Sequence, residues 1–242
     1  MPADERTGFY RDKLTPSRPF LDDDIGGENA KHYYFPPESM NVLPVRMACK
    51  SVSTFIPDSE SGYKYPVGGT AFVVEGGYLV TQSHCLIGDN LGDVANRVVV
   101  LNDQKVSLKD ARVVHISKEK DYGQEDIAVL HVPELEGSKG LVLSNQQAQE
   151  SDPVFCIGFP DTHNGDEKVI SYGLVQRSDT ETFDHDSQVR PGNSGSPLVN
   201  KKGEVVGMVF TQPEGVEEFT TRATAVSVNM IRDIINSDQN QA

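Results

Sequence analysis

From about residue 42 the chain is a succession of short apolar runs set between Gly, Asp and Asn. They include TAFVV at 70–74, YLVT at 78–81, RVVVL at 97–101, ARVVHI at 111–116 and IAVLHV at 127–132. PVFCIGF at 153–159, VISYGLV at 169–175, SPLVN at 196–200 and EVVGMVF at 204–210 continue the series. These runs are rich in β-branched residues and too short for helices, so they predict an all-β chain, an antiparallel barrel or sandwich. Helical periodicity appears only near the end. Val228, Ile231, Ile234 and Ile235 fall on one face of a helix over 228–236, with Ser227 as its N-cap.

Residues 1–40 differ. They are rich in Pro, Asp and Gly, lack strong periodicity and scatter Phe9, Tyr10, Phe20, Tyr33, Tyr34 and Phe35 along their length. That pattern predicts an extended or partly disordered arm before a domain at 41–242. The arm could lie on its own body or mediate a homo-oligomer. A faint internal repeat runs through the domain: TAFVVEGGYLVT and SPLVNKKGEVVGMV both read strand, Gly-containing turn, strand. Two similar β halves meeting at a cleft would account for it.

Composition narrows the partners. The formal net charge of -14 disfavours a phosphate backbone, so no nucleic-acid partner is expected. No run approaches the length of a membrane span, and the start, MPADERTGFY, is not built as a secretory signal. Cys49, Cys85 and Cys156 are few, odd in number and far apart, which argues against a disulfide framework and for a reducing, cytoplasmic location. No Cys and His pair sits at ligand spacing, so neither a metal nor a cofactor is expected.

Three places carry candidate chemistry. RPGNSGSP places Ser194 between Gly192-Asn193 and Gly195. Glycines there would let backbone N–H groups face the oxygen that becomes negative when a serine attacks a carbonyl. A serine hydroxyl also needs a base and a carboxylate to orient that base. His84, in YLVTQSHCL, sits just after a strand ends. Asp126 leads directly into the apolar run IAVLHV and is preferred to neighbouring Glu125. His115 and His131 fall within strand-like runs, whereas His163 and His185 fall in polar loops and His32 in the arm. The order His84, Asp126, Ser194 is that of the two-barrel serine proteases.

TQSHC, EDIAVL and RPGNSGSPLVN together resemble the histidine, aspartate and nucleophile motifs of trypsin-fold (chymotrypsin-like) serine proteases. KVISYGLVQ, GEVVGMV and TAVSVNMIRDII place the likeness closest to the HtrA/Deg and glutamyl-endopeptidase-like branch, without a PDZ domain. The resemblance spans roughly 42–236. It implies two six-stranded antiparallel β-barrels, at about 41–135 and 136–225, followed by the C-terminal helix. It also implies a serine endopeptidase acting through an acyl-enzyme. His84, Asp126 and Ser194 would be catalytic, and Gly192, Asn193 and Ser194 would form the oxyanion hole.

Several positions depart from the family. DDDIGGEN superficially resembles a zymogen activation site, but Asp24 precedes Ile25 and Asn193 stands where a carboxylate would receive a new ammonium group. Zymogen-style switching is therefore not expected. Secreted relatives pair the cysteine after the catalytic histidine with one about sixteen residues upstream; here that region is GGTAF, so Cys85 is expected to be a free thiol. The primary specificity pocket is expected to involve Gln188, Val189, Val209, Phe210 and Thr211. It lacks an acid for Arg or Lys and, in Met208–Gln212, a histidine for Glu. This predicts cleavage after small or medium aliphatic residues of a protein or peptide substrate. The competing reading is a binding or chaperone-like protein on the same fold, with little or no turnover.

Overall fold

The fold is that of a computed structural model, which describes residues 10–11, 49–56, 64–86, 98–101, 104–108, 110–117, 126–159, 169–189, 192–210 and 223–241. The apolar runs become strands. In chain order these are β1 (Tyr10–Arg11), β2 (Cys49–Ile56), β3 (Lys64–Val74), β4 (Tyr78–Thr81), β5 (Val98–Leu101), β6 (Gln104–Ser107) and β7 (Arg112–Ile116). They continue with β8 (Ala128–His131), β9 (Pro153–Gly158), β10 (Val169–Ser178), β11 (Thr182–His185), β12 (Pro197–Val199), β13 (Val205–Phe210) and β14 (Ala223–Ser227). One helix, α1 (Val228–Gln239), follows.

The strands form two antiparallel sheets. In the C-terminal sheet the order is β1-β10-β11-β14-β13-β12-β9, and β9 pairs back onto β10. Six strands therefore close a barrel, with β1 added on the outside through Tyr10↔Ile170 and Arg11↔Val169. The N-terminal sheet runs β6-β5-β2-β3-β4-β8-β7. Seven strands rather than six take part, and among the described residues no ladder joins β6 to β7. Two closed six-stranded barrels were expected; one is present, and among the described residues the other sheet shows no closing pair. Helix α1 rests near the β7 edge, where Arg112 forks onto Asp238 through both of its terminal nitrogens.

Three apolar clusters follow from strand alternation. Ala71, Val73, Leu79, Leu86, Leu108 and Leu130 fill the interior of the N-terminal half. Val154, Cys156, Val175, Phe183, Leu198 and Val209 lie in the cluster inside the C-terminal barrel. The opposite faces of the same strands meet in a third cluster, where Phe72, Val80 and Ile127 pack with Phe155, Ile157 and Met208 under Ile231 and Ile235. Each large aliphatic or aromatic side chain buried this way contributes about 1.5–3 kcal/mol, so the interface between the halves is itself a core.

The helix begins where the sequence indicated, with the Ser227 hydroxyl accepting from the Asn229 N–H at 3.4 Å. It runs to Gln239 rather than 236, because Asp238 is held by Arg112 and by the Tyr78 hydroxyl at 3.0 Å. Val228, Ile231 and Ile235 are buried, and Ile234 is half-buried against the same cluster.

Candidate active site

A one-turn 3-10 helix at Ser83–Cys85 directly follows β4 and carries His84. Its geometry depends on two serines. The Ser83 hydroxyl donates to the Ile127 carbonyl at 2.7 Å and accepts from the Ser117 N–H at 3.0 Å. Ser117 in turn accepts from the Ile127 N–H at 3.0 Å. This buried pair ties the histidine turn to the start of β8, where Asp126 lies.

The carboxylate is used on both oxygens. Asp126 Oδ2 is 2.6 Å from His84 Nδ1 and 3.3 Å from the Gln82 amide nitrogen, while Oδ1 accepts from the His84 N–H at 3.1 Å. Asp126 is 6% exposed, and the His84 side chain is 34% exposed. The imidazole thus has one ring nitrogen anchored on a buried anion, which sets the tautomer: Nδ1 donates, leaving Nε2 as the basic atom. Burial opposes a charged imidazole here. The Cys85 sulfur and the Asp126 carboxylate outweigh it and hold the His84 proton well above the usual 6.5.

Ser194 is brought to the same place by its backbone. Its carbonyl accepts from the Thr70 N–H at 2.8 Å and lies 3.8 Å from the Cys85 sulfur, one residue beyond His84. The loop around it is buried: Asn193 is 1% and Ser194 6% exposed. Gly192 has φ of 97° and Gly195 of 82°, left-handed conformations that L side chains rarely adopt. A Cβ on Gly195 would stand 2.2 Å from the Thr70 carbonyl oxygen, so glycine is required there on space as well as on angle. The Ser196 hydroxyl donates to Asn193 Oδ1 at 3.4 Å, and among the described residues the buried Asn193 Nδ2 has no partner.

The residues expected around a specificity pocket are more dispersed. The Gln188 carbonyl accepts from the Ser171 hydroxyl at 2.7 Å, and among the described residues its buried side-chain oxygen has no partner. Val189 and Val209 are buried together in the barrel cluster, and Phe210 ends β13 opposite Thr224. Thr211 lies outside the described residues.

One expectation about the histidines fails. His185 is not in a polar loop: it ends β11, is fully buried, and its Nδ1 is 2.6 Å from the Ser187 hydroxyl. The surrounding TETFDHDSQ is polar in sequence, but strand alternation turns Phe183 and His185 inward while Asp184 and Asp186 are half-buried. Desolvation lowers its pKa to about 3, so it is neutral. His115 and His131 do lie in strands, in β7 and β8.

The sequence reading also passed over Thr70, Gln82, Ser83 and Ser117. Short polar residues of this kind carry no distinguishing pattern. Gln82 and Ser83 adjoin His84 in TQSHC, which is the one local signal available. Cys85 and Cys156 are free and buried, and burial pushes the Cys156 thiol up to about 12. Gly69 occupies the position sixteen residues before Cys85, and a Cβ there would meet the Cys85 sulfur at 2.4 Å. Among the described residues no group of His, Cys, Asp and Glu could hold a metal ion, and no helix is long and apolar enough to cross a membrane.

The described residues thus hold an acid-anchored histidine after β4 and a glycine-flanked serine in a buried loop, on a fold with one closed β-barrel and a C-terminal helix. A sequence profile of the trypsin-like peptidase domain matches residues 69–208, more than half of the chain, and the chain belongs to that family. It is a serine endopeptidase by class.

Solved structures agree on the fold. The chain is similar to the active form of the Rv3671c protease from M. tuberculosis, with a TM-score of 0.62 and 20% identity over 81% of this chain and 82% of that one. It is also similar to a serine endoprotease from Yersinia pestis, with a TM-score of 0.60 and 19% identity over 81% of this chain and 64% of that one. The HtrA-type protease AlgW, solved with a tripeptide, gives 0.60 and 21% over 81% of this chain and 61% of that one.

Proposed function

We propose that the protein cleaves peptide bonds with His84, Asp126 and Ser194 as its catalytic triad. The observation that carries this reading is the 2.6 Å contact of His84 Nδ1 with a buried Asp126, in a turn abutting the Ser194 backbone. His84 Nε2 takes the proton of the Ser194 hydroxyl as that oxygen attacks the scissile carbonyl. The negative charge that develops is held by the N–H groups of the Gly192–Ser194 loop. His84 then returns the proton to the leaving amine, and water hydrolyses the acyl-enzyme by the same route in reverse. Asp126 keeps the imidazole in the productive tautomer and stabilises its protonated form. No metal or cofactor enters these steps.

The substrate is a protein or peptide with a small or medium aliphatic residue before the cleaved bond. Val189 and Val209, apolar and packed in one buried cluster, support this preference. The N-terminal sheet acts as the second barrel of the two-barrel arrangement. The two free buried thiols favour a reducing compartment such as the cytoplasm. A peptide-library digest compares the wild type with Ser194→Ala. Cleavage after Ala, Val or Leu that disappears in the variant supports the reading. A profile dominated by Arg, Lys or Glu overturns the specificity, and cleavage that survives the substitution overturns the triad.

A further inference from the structure

The nucleophile loop belongs to the C-terminal half, yet Thr70 of the N-terminal sheet bonds it at two carbonyls. Thr70, on β3 and fully buried, uses every polar atom it has. Its N–H donates to the Ser194 carbonyl at 2.8 Å. Its hydroxyl donates to the Gly192 carbonyl at 2.8 Å and accepts from the Phe159 N–H at 3.0 Å. Its carbonyl accepts from the Thr81 hydroxyl at 2.7 Å.

The direction of the hydroxyl hydrogen is not ambiguous. A carbonyl can only accept and an amide N–H can only donate, so the hydroxyl points its hydrogen at Gly192. We propose that Thr70 is a positioning residue that sets the oxyanion hole by fixing the Gly192 carbonyl from across the interface between the two halves. The inference rests on the triad reading above. Gly192 has φ of 97° and no side chain to restrain it, so its peptide planes rotate more easily than those of a residue with a side chain. With its carbonyl tied to Thr70 and the Ser194 carbonyl tied to the same residue, the donors of the loop keep one orientation before substrate arrives. Preorganised donors of this kind account for a large share of rate enhancement in acyl transfer. Without the hydroxyl, the Gly192 carbonyl is left buried and unpaired, and the unpartnered Asn193 amide is the nearest donor in sequence to draw it out of place. The active shape of the loop thus depends on the two halves being correctly seated.

The test compares Thr70→Val, which keeps the shape and removes the hydroxyl, with Thr70→Ser, which keeps the hydroxyl. Thr182→Val, in a buried threonine of β11 away from the loop, controls for lost stability. Three quantities are measured: steady-state peptide hydrolysis, the rate of labelling by a fluorophosphonate, and hydrogen exchange of the peptide covering 189–199. In Thr70→Val, kcat and the labelling rate fall at least about tenfold with KM little changed, as for loss of an oxyanion donor. Exchange at 192–195 speeds up in that variant, while Thr70→Ser and Thr182→Val stay close to wild type in all three readouts. A folded Thr70→Val with wild-type kcat and exchange overturns the proposal, as does a Thr70→Ser as impaired as the valine. If Thr70→Val does not fold, Thr70→Cys takes its place, because a thiol is too weak a donor to hold the carbonyl; wild-type kcat and exchange in that variant overturn the proposal equally. A wild-type protein that neither cleaves nor labels refutes the triad reading instead, and the exchange comparison still decides the role of Thr70.

Discussion

The two halves of the molecule are joined at two very different places. At the active site, Thr70 meets the Gly192–Ser196 loop through a backbone bond and its buried hydroxyl, and the Cys85 sulfur lies 3.8 Å from the Ser194 carbonyl. At the C-terminal end, Asp238 of α1 reaches across to Arg112 of β7 and Tyr78 of β4, and Arg112 is 53% exposed. Both joints use polar contacts of similar length. Their energetic consequences differ because of water. A buried donor or acceptor that loses its partner costs about 1–3 kcal/mol, whereas a solvated guanidinium exchanges its carboxylate for water at little loss. The comparison teaches that the polar joint at the site is the one on which geometry depends, while the helix is kept in place mainly by Ile231 and Ile235 beneath it.

Substitutions at the buried joint should therefore break the molecule or its activity, and those at the exposed joint should barely register. Gly195→Ala has the largest expected effect. Its left-handed φ and the Thr70 oxygen at 2.2 Å leave no room for a Cβ, so stability falls by about 2 kcal/mol or more, read from urea unfolding, and peptide cleavage is lost. Asp126→Asn comes next. The carboxylate that fixes the His84 tautomer is gone, and kcat falls about a thousandfold or more while KM changes little.

The pH profile sharpens the same point. His84 must be neutral to act as a base, and its surroundings hold the proton above 6.5. The acidic limb of kcat/KM is therefore displaced upward from 6.5, with activity rising as pH rises through the limb. In Asp126→Asn the residual activity has that limb moved down. A wild-type midpoint below 6.5 would show that the Cys85 sulfur and the Asp126 carboxylate do not govern the imidazole.

The smallest effect belongs to the exposed joint. In Asp238→Asn the melting temperature drops by at most a few degrees and peptide cleavage is unchanged. Asp238 is held down to about 2, chiefly by the Arg112 hydrogen bond, against opposing burial and with help from the Tyr78 hydroxyl. Its contribution to stability is thus present above the ordinary carboxylate value of 3.8 and fades only as pH falls toward 2. A melt series between pH 7 and pH 2 in which wild type and variant converge only at the acidic end checks this.

The sequence was most informative where local pattern and local structure coincide. The apolar runs gave strands almost residue for residue, and the isoleucine spacing with Ser227 gave the helix and its start. His84 and Asp126 were legible because a strand end and a strand start place them, and strand β4 pairs directly with β8. Features set by distant partners were not legible. Closure of the barrel depends on β9 meeting β10, and among the described residues the N-terminal sheet has no such closing ladder although its runs look the same. His185 looked like a loop residue because its neighbours are polar, while alternation buries it. Thr70 lies 122 residues from the carbonyl its hydroxyl holds, and no spacing rule links GGTAF to RPGNSGSP.

The central claim is that Ser194 is a nucleophile activated by His84, and mass spectrometry of the fluorophosphonate adduct tests it most directly. After treatment at neutral to mildly alkaline pH, the account predicts a single adduct on the peptide containing Asn193-Ser194-Gly195, lost in Ser194→Ala and at least about a thousandfold slower to form in His84→Ala. An adduct on another residue, or labelling of Ser194 at the same rate without His84, would contradict it.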